Sequence, residues 1–414
     1  MLQLRDYQID ISNKACKLLQ EYKIAYLSMQ VRCGKTLTAL QTANNYLAKS
    51  VLFITTKKAK SSIENDFSIL KPNFQIEICN YESLHTVKSD FDLIVVDEAH
   101  KLGQFPIAAE RTKKLKELCK GKPIIYLSGT PTPESYSQIY HQFWISEYSP
   151  FSIWTNFYKW AAEFVNKKKK YFYNREVTDY SNAKQDEIEK FCKHLFISYT
   201  QEEAGFKQQV KEEIVLVQMK EETYNLADKM RKKRVHIGTN SNEILADTEV
   251  KLMQKLHQIY SGTVKSESGN AICFDKSKIE VIKEKFKGKK IAIYYKFIAE
   301  GELIRKHFKT TSIPEIFNNS KDVDLVFVSQ IQSGREGVDL HTADCLIMYN
   351  IDFSATSYLQ AKARIQAKNK TAECLLYWLF SDGGIEQKIY KAVLQKKDYT
   401  LSWFVKDYNI KKQK

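Results

Sequence analysis

"FDLIVVDEAH", residues 91–100, decides how this chain is read. An unbroken apolar run, Leu93 to Val96, stops at two adjacent carboxylates, Asp97 and Glu98. A strand with one wet face alternates apolar and polar residues. An unbroken run is how a strand buried on both faces reads, and such strands belong to parallel sheets covered by helices. Ligands of these sheets gather at the carboxyl ends of the strands, where this strand places its two acids. The same pattern recurs in "IAYLSM" (24–29), "VLFITT" (51–56), "PIIYLSGT" (123–130), "KIAIYYKF" (290–297), "DLVFVSQ" (324–330) and "DCLIMYN" (344–350). Helical stretches such as "TLTALQTANNYLAK" (36–49) and "EGELIRKHF" (300–308) lie between them. Alternating strand and helix predicts an α/β fold with parallel sheets.

The runs fall into two groups, so two α/β domains are expected, over residues 1–212 and 213–414. The stretch between the groups, about 134–285, reads differently. It is aromatic and basic at first ("FWISEYSPFSIWTNFYKWAAEFVNKKKKYFYNRE", 143–176) and helical later ("DTEVKLMQKLHQIYSG", 247–262). It is expected to be a largely helical insertion, starting near 134 in the first domain and ending near 285 as a protrusion of the second.

Composition narrows the class. With 43% apolar and 27% charged residues, the chain is ordinary for a globular protein. No apolar run reaches membrane-spanning length, and "MLQLRDYQID" is charged too early for a signal peptide. A cytoplasmic protein that does not contact membranes is expected. The eight cysteines stand singly, and none forms C-x-x-C, which points to neither a zinc site nor a disulfide framework. Sixty-four basic against 49 acidic residues give a net charge of +15, which favours a polyanionic partner.

"MQVRCGKT" (29–36) supplies a phosphate-loop ending, Gly34-Lys35-Thr36, after a short strand and before a helix. Backbone N–H groups at a helix start can face a phosphate there. Lys35 is expected to reach the β- and γ-phosphates of ATP, with the Thr36 hydroxyl on Mg²⁺. Asp97 would also hold Mg²⁺, and Glu98 would orient and deprotonate the attacking water. Met29 stands where the full pattern has its first glycine. "LSGTP" (127–131) adds two hydroxyls, Ser128 and Thr130, at another strand end.

"LRDYQ" (4–8), "RCGKT" (32–36), "DEAH" (97–100) and "SGTP" (128–131), in this order, resemble the superfamily 2 helicases. The resemblance implies two RecA-like domains that hydrolyse ATP between them and move along nucleic acid. It makes Gln8 the adenine-edge contact and Arg5 its neighbour, and gives Ser128 and Thr130 a coupling role. "SGREGVDLHTADCLIMYN" (333–350) and "YLQAKARIQ" (358–366) are closest to the Swi/Snf-type branch, whose late pattern is Q-A-x-x-R-x-x-R. Gln360, Ala361 and Arg364 match, making Arg364 the expected arginine finger beside Gln360. Ala367 replaces the second arginine, with Lys368 adjacent. Gly337 and Asp339 are expected near phosphate and ribose. The branch commonly has a glycine at position 32, and Arg32 is compatible there where φ is negative. "SGTPTPESYSQIYHQFW" (128–144) resembles compact phage-encoded members, for which the compartment would be the host cytoplasm and the role replication, recombination or repair.

The resemblance also implies a track of backbone phosphates across both domains. Thr55, Lys57 and Lys60 in "TTKKAKSS", Tyr81 in "NYESLH", and Lys296 and Phe297 in "YYKF" are the expected contacts. Lys168 and Lys169 in "NKKKKYFYNR" (166–175) add a basic stretch interleaved with aromatic rings. The reading is a monomeric ATP-dependent DNA helicase or translocase acting on single-stranded, duplex or forked DNA. An RNA helicase and a clamp that binds ATP without turnover remain as alternatives.

Overall fold

A computed structural model of the chain describes residues 4–57, 59–172, 175–205, 210–237, 243–331, 340–354 and 374–395. The chain divides into two compact units, residues 1–205 and 206–414.

The first unit opens with α1 (Asp6–Tyr22) and β1 (Ile24–Met29), followed by α2 (Lys35–Asn45), β2 (Ser50–Thr55), α3 (Lys60–Leu70) and β3 (Gln75–Asn80). Strand β4 (Leu93–Asp97), α4 (Glu110–Leu118) and β5 (Ile124–Leu127) come next. Then follow α5 (Gln138–Trp144), α6 (Phe157–Phe164), β6 (Lys168–Phe172), β7 (Arg175–Asp179), α7 (Gln185–Cys192) and β8 (Phe196–Tyr199). Six strands form one parallel sheet in the order β3-β2-β4-β5-β1-β8. The inner strands are buried almost throughout, as their unbroken apolar runs require. Because the strands are parallel, Met29, Thr55, Asp97 and Leu127 all end at one edge of the sheet.

The aromatic stretch after residue 134 is core rather than appendage. Phe143, Phe151, Phe157, Trp160 and Phe164 are at most 2% exposed and join Tyr26 and Tyr126 in one cluster. Tyr26 stacks on Phe196 of β8 at 4.3 Å, and Tyr126 meets Phe143 edge-on at 5.6 Å. These contacts fix β8 as the last strand of this sheet, inside the stretch expected to be helical. The β6–β7 hairpin pairs only with itself, and Lys168 and Lys169 on it are exposed.

The second unit repeats the logic with another sequence. It runs through β9 (Val210–Val217), α8 (Glu221–Lys233), the small hairpin β10 (Val235–Ile237) and β11 (Glu243–Leu245), α9 (Glu249–Ile259), and a second hairpin, β12 (Thr263–Lys265) and β13 (Ala271–Cys273). Helix α10 (Ser277–Lys285), β14 (Ile291–Tyr295), α11 (Ile298–His307), β15 (Lys309–Thr311), α12 (Pro314–Asn319), β16 (Leu325–Gln330), β17 (Cys345–Met348) and β18 (Cys374–Ser381) follow, with a helix at Glu386–Leu394. Its parallel sheet has the order β15-β16-β14-β17-β18-β9. Strand β9 pairs with β18 from Val210↔Cys374 to Val217↔Ser381. The border expected between residues 212 and 213 lies within this strand, and the chain divides earlier, after Gly205.

A buried ion pair closes the second unit. Lys278 on α10 and Glu386 at the start of the last described helix are both fully buried, with Nζ 3.0 Å from Oε1. Lys278 Nζ also donates to the Tyr349 carbonyl at 3.0 Å. Burial pushes the Glu386 carboxyl up, against the pull of Lys278. Removing one member leaves an uncompensated charge in an apolar interior. Lys278→Met should therefore destabilise the protein by about 3–5 kcal/mol in chemical denaturation. The double variant Lys278→Met/Glu386→Met should recover much of that loss, and a double variant as unstable as the single one would contradict this account.

Candidate functional site

The loop between β1 and α2 has the shape an anion needs. Gly34 caps α2 in the left-handed region (φ 76°), and no side chain caps the helix start. The first N–H groups of α2 are thus left for a ligand or water. The positive φ favours glycine at Gly34, and a Cβ there, 2.3 Å from Gln8 Nε2, would push the Gln8 amide off its Gly34 carbonyl contact. Arg32 also has a positive φ, 66°. This corrects the expectation of negative φ at that position. The loop adopts a conformation that suits glycine and holds it with an arginine, at a cost of about 1–2 kcal/mol.

Lys35 folds back over its own loop. Its Nζ donates to the carbonyls of Met29 at 2.9 Å and Gln30 at 3.3 Å. Gly129, in the turn after β5, lies against the same loop, since a Cβ there would stand 3.3 Å from the Met29 carbonyl and 3.5 Å from Lys35 Nζ. Three strand ends therefore converge: β1 with Lys35 and Thr36, β4 with Asp97 and Glu98, and β5 with Ser128 and Thr130.

Asp97 is the most tightly held of these groups. Thr55 Oγ1 donates to its Oδ2 at 2.8 Å, and the Glu98 N–H donates to Oδ1 at 3.0 Å. The Tyr81 hydroxyl donates to the Asp97 carbonyl. Burial, then the neighbouring Glu98 charge, raise the Asp97 carboxyl to about 6, while Thr55 and Lys35 oppose the rise. Glu98 itself has φ 51°. A non-glycine residue in that region is strained, and such strain concentrates at functional positions. His100 Nδ1 lies 3.2 Å from Glu98 Oε2 and 3.0 Å from Ser128 Oγ, which accepts the Thr130 N–H at 3.2 Å. His100, the last residue of the DEAH motif, thus joins the acid on β4 to the hydroxyl turn after β5.

Two residues expected on a nucleic-acid track sit elsewhere. Thr55 is fully buried and Tyr81 is 4% exposed, and both hydroxyls serve Asp97. They end strands flanking or near β4, so their short reach turns inward to the acid rather than out to solvent. Lys57 and Lys60 are exposed, in the connection from β2 into α3. Helix α3 has no side-chain cap at its start.

Gln8 and Arg5 lie beside the loop. The Arg5 N–H donates to Gln8 Oε1 at 3.0 Å, and Gln8 Nε2 donates to the Gly34 carbonyl at 3.3 Å. Each end of the amide keeps one further hydrogen-bonding position. Arg5 Nη1 donates to the Tyr7 hydroxyl at 2.8 Å, and that hydroxyl donates to the Cys33 carbonyl at 3.2 Å.

In the second unit, Lys296 and Phe297 follow β14 directly. Lys296 Nζ is 2.7 Å from Asp352 Oδ1 and 3.8 Å from the Phe353 ring centroid, and its side chain is 13% exposed. It is engaged within the unit rather than held out as a free cation. Phe297 is half-buried, edge-on to His257 at 5.2 Å. Glu300 Oε2 accepts the N–H groups of Lys296 and Phe297, and its Oε1 accepts Asn350 Nδ2 at 2.6 Å. Asn350 in turn bonds His257, whose burial holds it well below the usual histidine range. Lys169 on the β6–β7 hairpin pairs with Glu176 at 2.8 Å. Gly337, Asp339, Gln360 and Arg364 lie outside the described residues.

The donor set of the first unit fits a nucleotide with a divalent ion: an uncapped helix start, a lysine over it, and a carboxylate beside it. Among the described residues, no cluster of three or more His, Cys, Asp or Glu could hold a metal. No helix among them is long and apolar enough to cross a membrane.

A model of the SNF2-related domain matches residues 32–265, and one of the helicase conserved C-terminal domain matches residues 251–367. The human DNA repair and recombination protein RAD54-like is 33% identical over 89 residues, 22% of this chain and 12% of that protein. A chromatin-remodeling ATPase INO80 from Gibberella zeae is 33% identical over 85 residues, 20% of this chain and 4% of that protein. The chain thus covers 12% or less of the length of these curated relatives. The Sulfolobus solfataricus SWI2/SNF2 ATPase core in complex with dsDNA aligns over 99% of this chain and 95% of its own, at 17% identity and a TM-score of 0.44. With its model covering more than half of the 414 residues, the SNF2-related domain family is the one to which this chain belongs.

Proposed function

We propose that the protein hydrolyses ATP and uses the cycle to move along DNA. The observation that carries this reading is the convergence, at one sheet edge, of the Lys35 loop, the Asp97–Glu98 pair and the Ser128–Thr130 turn linked through His100. The N–H groups of Gly34, Lys35 and Thr36 would bind phosphate oxygens. Lys35 would exchange the Met29 and Gln30 carbonyls for the β- and γ-phosphates. Magnesium entering with the nucleotide, held by Thr36 and Asp97, would neutralise phosphate charge. Glu98 would accept the proton of the attacking water, and His100 would report the state of Glu98 to Ser128 and Thr130. Gln8 and Arg5 would face the base. Arg364, with Gln360, is assigned the cation that stabilises charge developing on the γ-phosphate, with Gly337 and Asp339 near phosphate and ribose.

DNA is the proposed partner. Lys57 and Lys60 precede and open an uncapped helix, where a lysine is unfavourable unless an anion is present. Backbone phosphate fits that arrangement. Lys168 and Lys169 are exposed enough to add to it. Lys296 would join only by releasing Asp352. The names of the relatives, which concern DNA repair and recombination or chromatin remodeling, are consistent with DNA rather than RNA.

Steady-state ATP hydrolysis measured without nucleic acid and with single-stranded, duplex or forked DNA or RNA tests the reading. DNA should stimulate turnover. Lys35→Ala should lower kcat by about 10²–10³-fold, the scale of one electrostatic contact to developing charge, and Glu98→Gln by about 10²–10⁴-fold, that of a positioned general base. A slow rate insensitive to every effector and to Glu98→Gln would instead indicate a clamp that binds without turnover.

Asp97 adds a pH signature. Its carboxylate is the metal-binding form, so activity should fall as pH drops through about 6. Thr55→Val removes a hydrogen bond that favours the ionised form, so it should move that midpoint upward. A pH–rate profile unchanged in Thr55→Val would separate the titration from Asp97. For stability the sign is opposite. A carboxyl raised in the folded state contributes most at acidic pH, and that contribution is lost as pH rises through about 6.

A further inference from the structure

The nucleotide loop is tied to the segment that leads out of the first unit, and Gln30 makes the tie. Its carbonyl accepts from Lys35 Nζ at 3.3 Å. Its N–H donates to the Tyr199 carbonyl at 2.9 Å, extending the β1–β8 ladder by one rung. Its side-chain Oε1 accepts the Gln201 N–H at 2.8 Å. Gln201 reaches back, Nε2 donating to the Val31 carbonyl at 3.0 Å. A second strut runs alongside. The Tyr199 ring stacks on Tyr7 at 4.5 Å, and the Tyr7 hydroxyl donates to the Cys33 carbonyl. Three stations of the loop, Gln30, Val31 and Cys33, are therefore held directly or indirectly from residues 199–201.

The segment that holds them is itself a compact turn. Glu203 accepts the Thr200 N–H at 2.6 Å and the Thr200 hydroxyl at 2.8 Å, and the Tyr199 hydroxyl donates to the Glu203 carbonyl at 2.9 Å. The Thr200 bonds hold the Glu203 carboxyl below the usual carboxylate range. Ala204 is buried, and the first unit ends one residue later, at Gly205. The chain then enters β9 of the second unit within a few residues.

We propose that Gln30 and Gln201 are positioning residues that link nucleotide occupancy of the Lys35 loop to the segment 199–205, and so to the connection between the two units. The inference rests on the nucleotide reading of that loop. Its logic follows from Lys35. When Nζ moves from the Met29 and Gln30 carbonyls to a phosphate, the loop loses an internal cross-link on the residue that also holds Gln201. Neither glutamine touches the nucleotide. Each acts through the loop backbone. An edge strand needs no side-chain bonds beyond its ladder to stay paired, so the Gln30–Gln201–Val31 exchange is surplus to the fold of the sheet.

Hydrogen exchange tests this without relying on turnover. The probe is ADP or a non-hydrolysable ATP analogue with Mg²⁺, added to the full-length protein. In the wild type, nucleotide should slow exchange at 30–36 and also change exchange at 199–205, by about threefold or more, because local opening of both is linked. Gln30→Met and Gln201→Met keep side-chain length but remove the acceptor and the donor. Each should retain protection at 30–36 while losing the response at 199–205. Gln201→Lys keeps a donor for Val31 and should restore it. A thermal melt close to wild type for each variant confirms that the fold is intact. A response at 199–205 equal in wild type and both Met variants overturns the link, as does a wild type protected at 30–36 alone. No protection at 30–36 in the wild type would withdraw the nucleotide reading itself, and the link with it.

Discussion

A carboxylate at the end of a strand buried on both faces must find hydrogen bonds or lose its charge, and the first unit is arranged around that requirement at Asp97. Thr55 at the end of β2 and the Glu98 N–H donate to its two oxygens, and Tyr81, just beyond β3, holds the Asp97 main-chain carbonyl. The sheet order puts β2 directly beside β4, so the threonine needs no loop to reach the acid. Neutral donors satisfy the oxygens without cancelling the charge. Burial and the neighbouring Glu98 charge raise the carboxyl to about 6, against the opposing pull of Thr55 and Lys35.

The same geometry explains what could and could not be read from the residues. Strands β1, β2, β4, β5, β14, β16 and β17 are legible because burial on both faces writes an unbroken apolar run. Strands β3, β8 and β9 are not, because edge strands are only partly covered, and "QIEICN" and "VKEEIVLV" mix charges into their pattern. The run at 374–381 is hard to read for another reason. A short continuous apolar segment suits a buried helix as well as a buried strand. The aromatic stretch after residue 134 looked like an insertion because its spacing shows density of rings but not which surface they cover. In space they cover the first sheet.

At the site, the residues that chemistry singles out by type and spacing, Lys35, Thr36, Asp97, Glu98, Ser128 and Thr130, are brought to one edge. Those chosen as surface contacts fared unevenly. Exposure of a loop lysine such as Lys57 follows from its charge, whereas Thr55 and Tyr81 are amphipathic and go wherever a buried partner needs a hydroxyl. Lys296 shows the converse, a lysine drawn down by Asp352 and Phe353. His100 and Gln30 lie inside the DEAH and phosphate-loop motifs themselves. Only the distances to Ser128, Lys35 and Gln201 give them a task.

The second unit pairs its first strand with its last, β9 with β18, and its deepest ion pair joins Lys278 to Glu386. The first unit has its sheet complete by Tyr199. During synthesis the two therefore mature on different schedules. The first can close its core while the ribosome is still adding the second. The second cannot seat its edge strand until β18 has emerged, since Val210 pairs with Cys374, 164 positions later, a closure of long sequence separation that makes it the slower-folding part of the chain. Until then β9 and the apolar faces of α8 and α9 are without their partners. The chance of misassembly is concentrated in that interval.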